Sequence, residues 1–143
     1  MPKHSRPESV LVVIHTPKRE CLLLERTNPR GFWQSVTGTL HWNETPAETA
    51  AREVCEETGI EPVELIDTGI CKSFPILPEW RERYAPNVNE NVEYLWYMEV
   101  PAVCEINLNE AEHAAFRWMG LEEAIGIVAS WTNREALVRL RGS

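Results

Sequence analysis

The chain has 143 residues, 43% of them hydrophobic and 25% charged, with a formal net charge of −8. That length suits one domain around one buried core, expected over residues 1–143. The acidic balance excludes a non-specific nucleic-acid binder, which needs a basic face, and no run of 18 apolar residues marks a membrane span.

The apolar run at 10–14 is too short for a signal-peptide core and predicts a buried strand. Thr16, Pro17 and Lys18 form a turn, and 21–26 is a second strand that becomes polar as it exits. Asn28, Pro29, Arg30 and Gly31 are turn residues by chemistry. Residues 32–37 predict one short strand running into Gly38. Alternation puts Trp33, Ser35 and Thr37 on one side and Phe32, Gln34 and Val36 on the other. A helix follows over Pro46–Thr58, with Thr45 as N-cap, Pro46 at its first position, Glu48 completing a capping box and Gly59 as a left-handed stop. At about 100° per residue, Glu53, Glu56 and Glu57 span an arc of roughly 100°. Ala47, Ala50, Ala51 and Val54 occupy another arc, so the small residues are expected to be buried and the carboxylates to face a cleft.

Residues 63–74 predict a strand with a bulge at Gly69. The stretch 75–91 carries Pro75, Pro78 and Pro86, and an irregular segment of that length is usually functional. Strands at 92–100 and 114–119, joined by 101–111, precede helices at 121–128 and 133–140. Strands around a capped helix, with a helical C-terminus, suit an α/β sandwich with a mixed sheet. Cys21, Cys55, Cys71 and Cys104 are scattered without a C-x-x-C, which predicts buried free thiols in a cytoplasmic protein.

Glu53 and Glu57, four residues apart on the helix, repel each other, and such a cost points to a compensating cation. Mg²⁺ takes hard oxygen ligands, often few carboxylates completed by water and substrate phosphates. The segment 38–60 resembles the Nudix box, G-x5-E-x7-R-E-U-x-E-E-x-G-U with U a bulky aliphatic. Gly38, Glu44, Arg52, Glu53, Val54, Glu56, Glu57, Gly59 and Ile60 fill every defined position.

This resemblance implies a Nudix-type α/β/α sandwich with a loop–helix–loop motif and a metal-dependent hydrolase of phosphoric anhydrides. It implies Glu53, Glu56 and Glu57 as metal ligands, or as ligands and base, and leaves open which one activates water. Glu44 and Arg52 would brace the loop, with Arg52 orienting the catalytic carboxylates, and Gly59 would close the motif. Glu112 would be a further metal ligand or base, and His113 a structural neighbour.

Outside the box, Phe32–Gly38, Arg83–Pro86, Asn91–Glu93, Glu112–His113 and Ser130–Arg134 resemble a bacterial branch of the family that acts on dihydroneopterin triphosphate. That branch implies release of pyrophosphate and dihydroneopterin monophosphate, in folate synthesis. Alternatives are (d)NTPs such as dATP, dinucleoside polyphosphates and ADP-ribose; a non-catalytic nucleotide-binding Nudix domain would be expected to lose box glutamates. Phe32 and Trp33 are read as stacking or core residues. Gln34, Ser35, Thr37 and Gly38 would bind substrate by hydrogen bonds, and Arg81 and Arg83, with Tyr84, would clamp the triphosphate. Trp131, Asn133 and Arg134 read as a helix cap with a packed indole, or as a contribution to the site. The implied cofactor is Mg²⁺, with Mn²⁺ as alternative. The implied partner is a small phosphoanhydride, with no nucleic-acid polymer and no membrane, and the sequence carries no signal for oligomeric state.

Overall fold

A computed structural model describes residues 3–142. Its strands are β1 (Glu8–His15), β2 (Glu20–Arg26), β3 (Trp33–Gln34), β4 (Val36–Thr39), β5 (Ile66–Pro75), β6 (Glu90–Glu99) and β7 (His113–Gly120). The helices are α1 (Pro46–Thr58), α2 (Leu121–Ile127) and α3 (Trp131–Arg141). The seven strands form one mixed sheet in the order β3-β2-β1-β6-β5, with β4 also on β1 and β7 on β2. β1 runs parallel to β6 and antiparallel to β2 and β4.

Alternation along β1 feeds two cores. Val10, Val12 and Ile14 pack with Ala50 and Val54 of α1 on one face. Leu11 and Val13 pack with Ala124 of α2 and Ala136 and Leu137 of α3 on the other. The expected α/β/α sandwich follows from this two-faced burial. No helix among the described residues is long and apolar enough to cross a membrane.

The ends of α1 are as expected: Thr45 accepts from the Glu48 N–H, Glu48 accepts from the Thr45 N–H, and Gly59 sits at φ 75°. The bulge in β5 falls between Asp67 and Cys71, around Gly69.

Four expectations are corrected. The single strand over 32–37 is two strands broken at Ser35, because the Ser35 N–H donates to Asn133 Oδ1 (2.8 Å) instead of a neighbouring strand. On α1 the buried face includes Glu53 and Glu57 beside Ala50 and Val54, while Ala47 is exposed. The two arcs abut, since Glu57 lies about 20° from Ala50 around the helix axis. α3 starts at Trp131, two residues early, because Ser130 caps it by accepting from the Asn133 N–H; the Trp131 indole is exposed, not packed. Of the four cysteines only Cys21 is buried.

Candidate active site and metal centre

The inner side of α1 and the turn before β7 build the site. Asn109 Oδ1 accepts from the Ala111 N–H, and its carbonyl accepts from Glu112 and His113 N–H groups. The Thr27 N–H, just past β2, donates to the Glu112 carbonyl at 2.9 Å. This turn therefore sets Glu112 and His113 against α1.

Glu57, Glu112 and His113 offer ligand atoms that all lie within 4.8 Å of one another. Glu57 is only 1% exposed and His113 4%. His113 Nδ1 is 2.6 Å from Glu57 Oε2, yet neither atom is aligned for a hydrogen bond. On its far side His113 Nε2 is 3.2 Å from the Gln34 amide nitrogen. Burial alone would raise the Glu57 carboxyl, but the polar groups of His113, Glu112 and Asn109 close to it outweigh burial and hold it below its usual range. Glu112 carries the opposite shift: its hydrogen bond to Glu57, then burial, pushes it up to about 7.

Glu53 is pushed up to about 8, first by burial, with Glu57, Glu56 and Glu112 adding repulsion that Arg52 only partly offsets. Buried carboxylates of one sign, with buried ligand atoms lacking a hydrogen bond, fit a divalent cation; a buried charge otherwise stays paired or neutralises.

Arg52 organises one edge. Its Nε and Nη2 donate to the two Glu44 oxygens at 2.7 and 2.8 Å, and Nη1 donates to Glu53 at 2.7 Å and Glu56 at 3.0 Å. Nη2 also reaches the Thr39 carbonyl at 3.1 Å. Glu44 further accepts from the His41 N–H and the Thr49 hydroxyl. Gly38 leaves the space for Glu53: a Cβ there would overlap the Glu53 carboxyl group.

A NUDIX domain model matches residues 5–140. The chain belongs to the Nudix family. It is 37% identical over 139 residues to a dihydroneopterin triphosphate diphosphatase of Escherichia coli, covering 94% of this chain and 91% of that protein. A protein of the same name from Haemophilus influenzae is 36% identical, with 96% and 89% covered. The solved structure of the E. coli dihydroneopterin triphosphate pyrophosphohydrolase superposes with a TM-score of 0.89 at 36% identity, covering 96% of this chain and 97% of that one.

The Nudix helix thus brings Glu57 and Glu53 inward and leaves Glu56 exposed, paired with Arg52. Glu112 joins them, and His113 belongs to the same cluster rather than to the periphery. Several residues read as substrate contacts are committed to the fold. Gln34 is buried against His113, and both the Ser35 N–H and hydroxyl are taken by Asn133. The Thr37 hydroxyl donates to the Val10 carbonyl, and Trp33 packs on the core beneath α2 and α3. Arg81 braces its own loop, donating to the Pro86 carbonyl and Asn89.

Arg26, Trp80 and Asn133 are the residues that sequence reasoning passed over or underweighted. Arg26, at the polar exit of β2, lies 5.7 Å from the Phe32 and Trp80 ring centroids, and Arg83 lies 5.6 Å from Trp80. Burial, then Arg83, lowers the Arg26 guanidinium, while Glu112 and Glu57 raise it, so it sits beside the acidic cluster. The polar turn of C-L-L-L-E-R was the one available signal for Arg26.

The brace has a pH signature. The Arg52 guanidinium, against burial and aided by His41 and Thr49, holds Glu44 at about 2. A carboxylate depressed in the fold stabilises fully above its unfolded value and loses that contribution as pH falls through about 2. Urea unfolding of wild type and Glu44→Gln is expected to differ by ~1 kcal/mol near pH 6 after allowing for solvent screening. The gap should close as pH falls from about 4.5 toward 2; a gap that stays constant would mean the pair does not titrate with folding.

Proposed function

We propose that this Nudix hydrolase is a Mg²⁺-dependent pyrophosphohydrolase, carried by one domain over residues 1–143, that cleaves dihydroneopterin triphosphate. The observation that carries the substrate is the likeness, over nearly the whole chain, to bacterial enzymes named for that reaction. Water attacks phosphorus, the α–β anhydride bond breaks, and pyrophosphate leaves with the dihydroneopterin monophosphate as co-product.

Family membership makes the enzyme divalent-metal dependent, and Glu57, Glu112 and Glu53, with Glu56 at the rim, are the residues that would hold the cation. When bound, the metal supplies charge neutralisation at the phosphates and lowers the pKa of a coordinated water. A carboxylate of this cluster that is not itself bound to the cation would take the water's proton. Arg52 orients Glu53 and Glu56. Arg26 and Arg83, with Phe32, Trp80 and Tyr84 nearby, are suited to hold the anionic chain.

A substrate panel with Mg²⁺, scored by pyrophosphate release, tests this reading. Dihydroneopterin triphosphate is expected to exceed dATP, dGTP, dinucleoside polyphosphates and ADP-ribose in kcat/KM by about tenfold or more. Equal or lower turnover than dATP or dGTP would refute the substrate while leaving the Nudix assignment intact.

A further inference from the structure

β6 places Glu93 on the sheet face beneath α3, beside Leu95 and in register with Ser9 of β1 and Lys72 of β5. Lys72 is its direct cross-strand neighbour, yet its Nζ reaches over to Glu135 of α3 at 2.9 Å. Burial raises the Glu93 carboxyl, opposed only by a hydrogen bond from Thr132 in the first turn of α3. No salt bridge to Glu93 occurs among the described residues. A half-buried carboxylate without a cation is costly unless something donates to it.

A cavity of about 10 Å³ lies here, lined by Glu93, Lys72, Thr132 and Glu135 with the apolar Leu11 and Leu95. Its outer wall, the Lys72–Glu135 bridge, is half-exposed and cheap to part. Trp131 stands next to it with 48% of its surface exposed, and the Lys72 ammonium is 5.9 Å from its ring. An open aromatic face and an acceptor edge at one cavity mouth are what a planar, donor-bearing heterocycle requires.

We propose that Glu93 reads the heterocycle of the substrate, accepting from the adjacent ring N–H and exocyclic amine of a 2-amino-4-oxopyrimidine while Trp131 covers the ring face. This rests on the pyrophosphohydrolase reading above. Two carboxylate oxygens match two parallel donors, as in other bidentate pairs. Adenine presents an acceptor beside a donor on the corresponding edge, and hypoxanthine lacks the amine, so both fit worse. Glu93 lies two strands, about 10 Å, from Thr39, whose carbonyl is held by Arg52. Glu93 faces α3, on the sheet face opposite α1, so the phosphates of a heterocycle held there would pass around β4 to reach the acidic cluster.

The test is kcat/KM for wild type, Glu93→Gln and Glu93→Asp on dihydroneopterin triphosphate, dGTP, dITP and dATP, with melting temperatures to confirm folding. Both variants are expected to lower the dihydroneopterin triphosphate:dATP and dGTP:dATP ratios by about tenfold to a hundredfold, chiefly through KM, and to bring dGTP:dITP toward unity. Unchanged ratios, or a uniform loss on all four substrates, would overturn the assignment. Failure of the parent reading shows differently, as a wild type that does not prefer dihydroneopterin triphosphate. The dGTP:dITP ratio still judges Glu93 in that case.

Discussion

Glu57→Gln is expected to lower kcat for pyrophosphate release by about a thousandfold or more at saturating Mg²⁺, with the fold retained. Glu57 is 1% exposed and touches both Glu112 and His113, so its charge is central to the cluster rather than peripheral. Glutamine keeps the shape, and its carbonyl can still face His113 Nδ1. It removes one negative charge from a place where Glu53 and Glu112 are both pushed up, in part by Glu57 itself. These gains offset only part of what the fold loses with Glu57, whose carboxyl it holds below its usual range, so the metal-free variant should melt somewhat below wild type while still folding, and the rise in melting temperature on adding Mg²⁺ should shrink. The loss of activity and of metal response is then far larger than the loss of stability. Near-normal turnover would remove Glu57 from the metal centre.

What could be read from sequence was mostly local. The α1 cap needs only Thr45 and Glu48, three residues apart, and its stop needs only Gly59, so both were legible. The Glu44–Arg52 brace was legible because the spacing is a family pattern and the partners fall within one motif. Burial of Glu53 and Glu57 was not, because periodicity reads charge as solvated, and only the sheet above α1 turns that face inward. Ser35 and Asn133 are 98 residues apart, and nothing in either segment announces that one consumes the other's hydrogen bonds. The same distance problem hid Arg26 between Phe32 and Trp80. His113 could be placed beside Glu112 in sequence, but its contact with Glu57 depends on β7 pairing with β2.

Gly38→Ala tests how tightly the motif loop and the helix are fitted. The new methyl would occupy the volume of the Glu53 carboxyl group and overlap its Cγ as well. A long surface side chain could swing aside, but Glu53 is 7% exposed and is held at 2.7 Å by Arg52, which is itself fixed by Glu44. Relief therefore means moving a buried carboxylate off its partner or pushing β4 away from α1. The expected cost is ~1–3 kcal/mol of stability, read by urea unfolding. Activity should fall by about a hundredfold, since displacement on the order of 1 Å at a reacting centre is enough for that. Adding Glu53→Ala separates the two effects. The double variant removes the side chain that the methyl strikes, so it should recover most of the lost stability beyond what the single changes add up to. Activity should stay low, because the carboxylate itself is gone. If Gly38→Ala instead left both stability and kcat at wild-type levels, the close approach of β4 to Glu53 would not be what places that carboxylate.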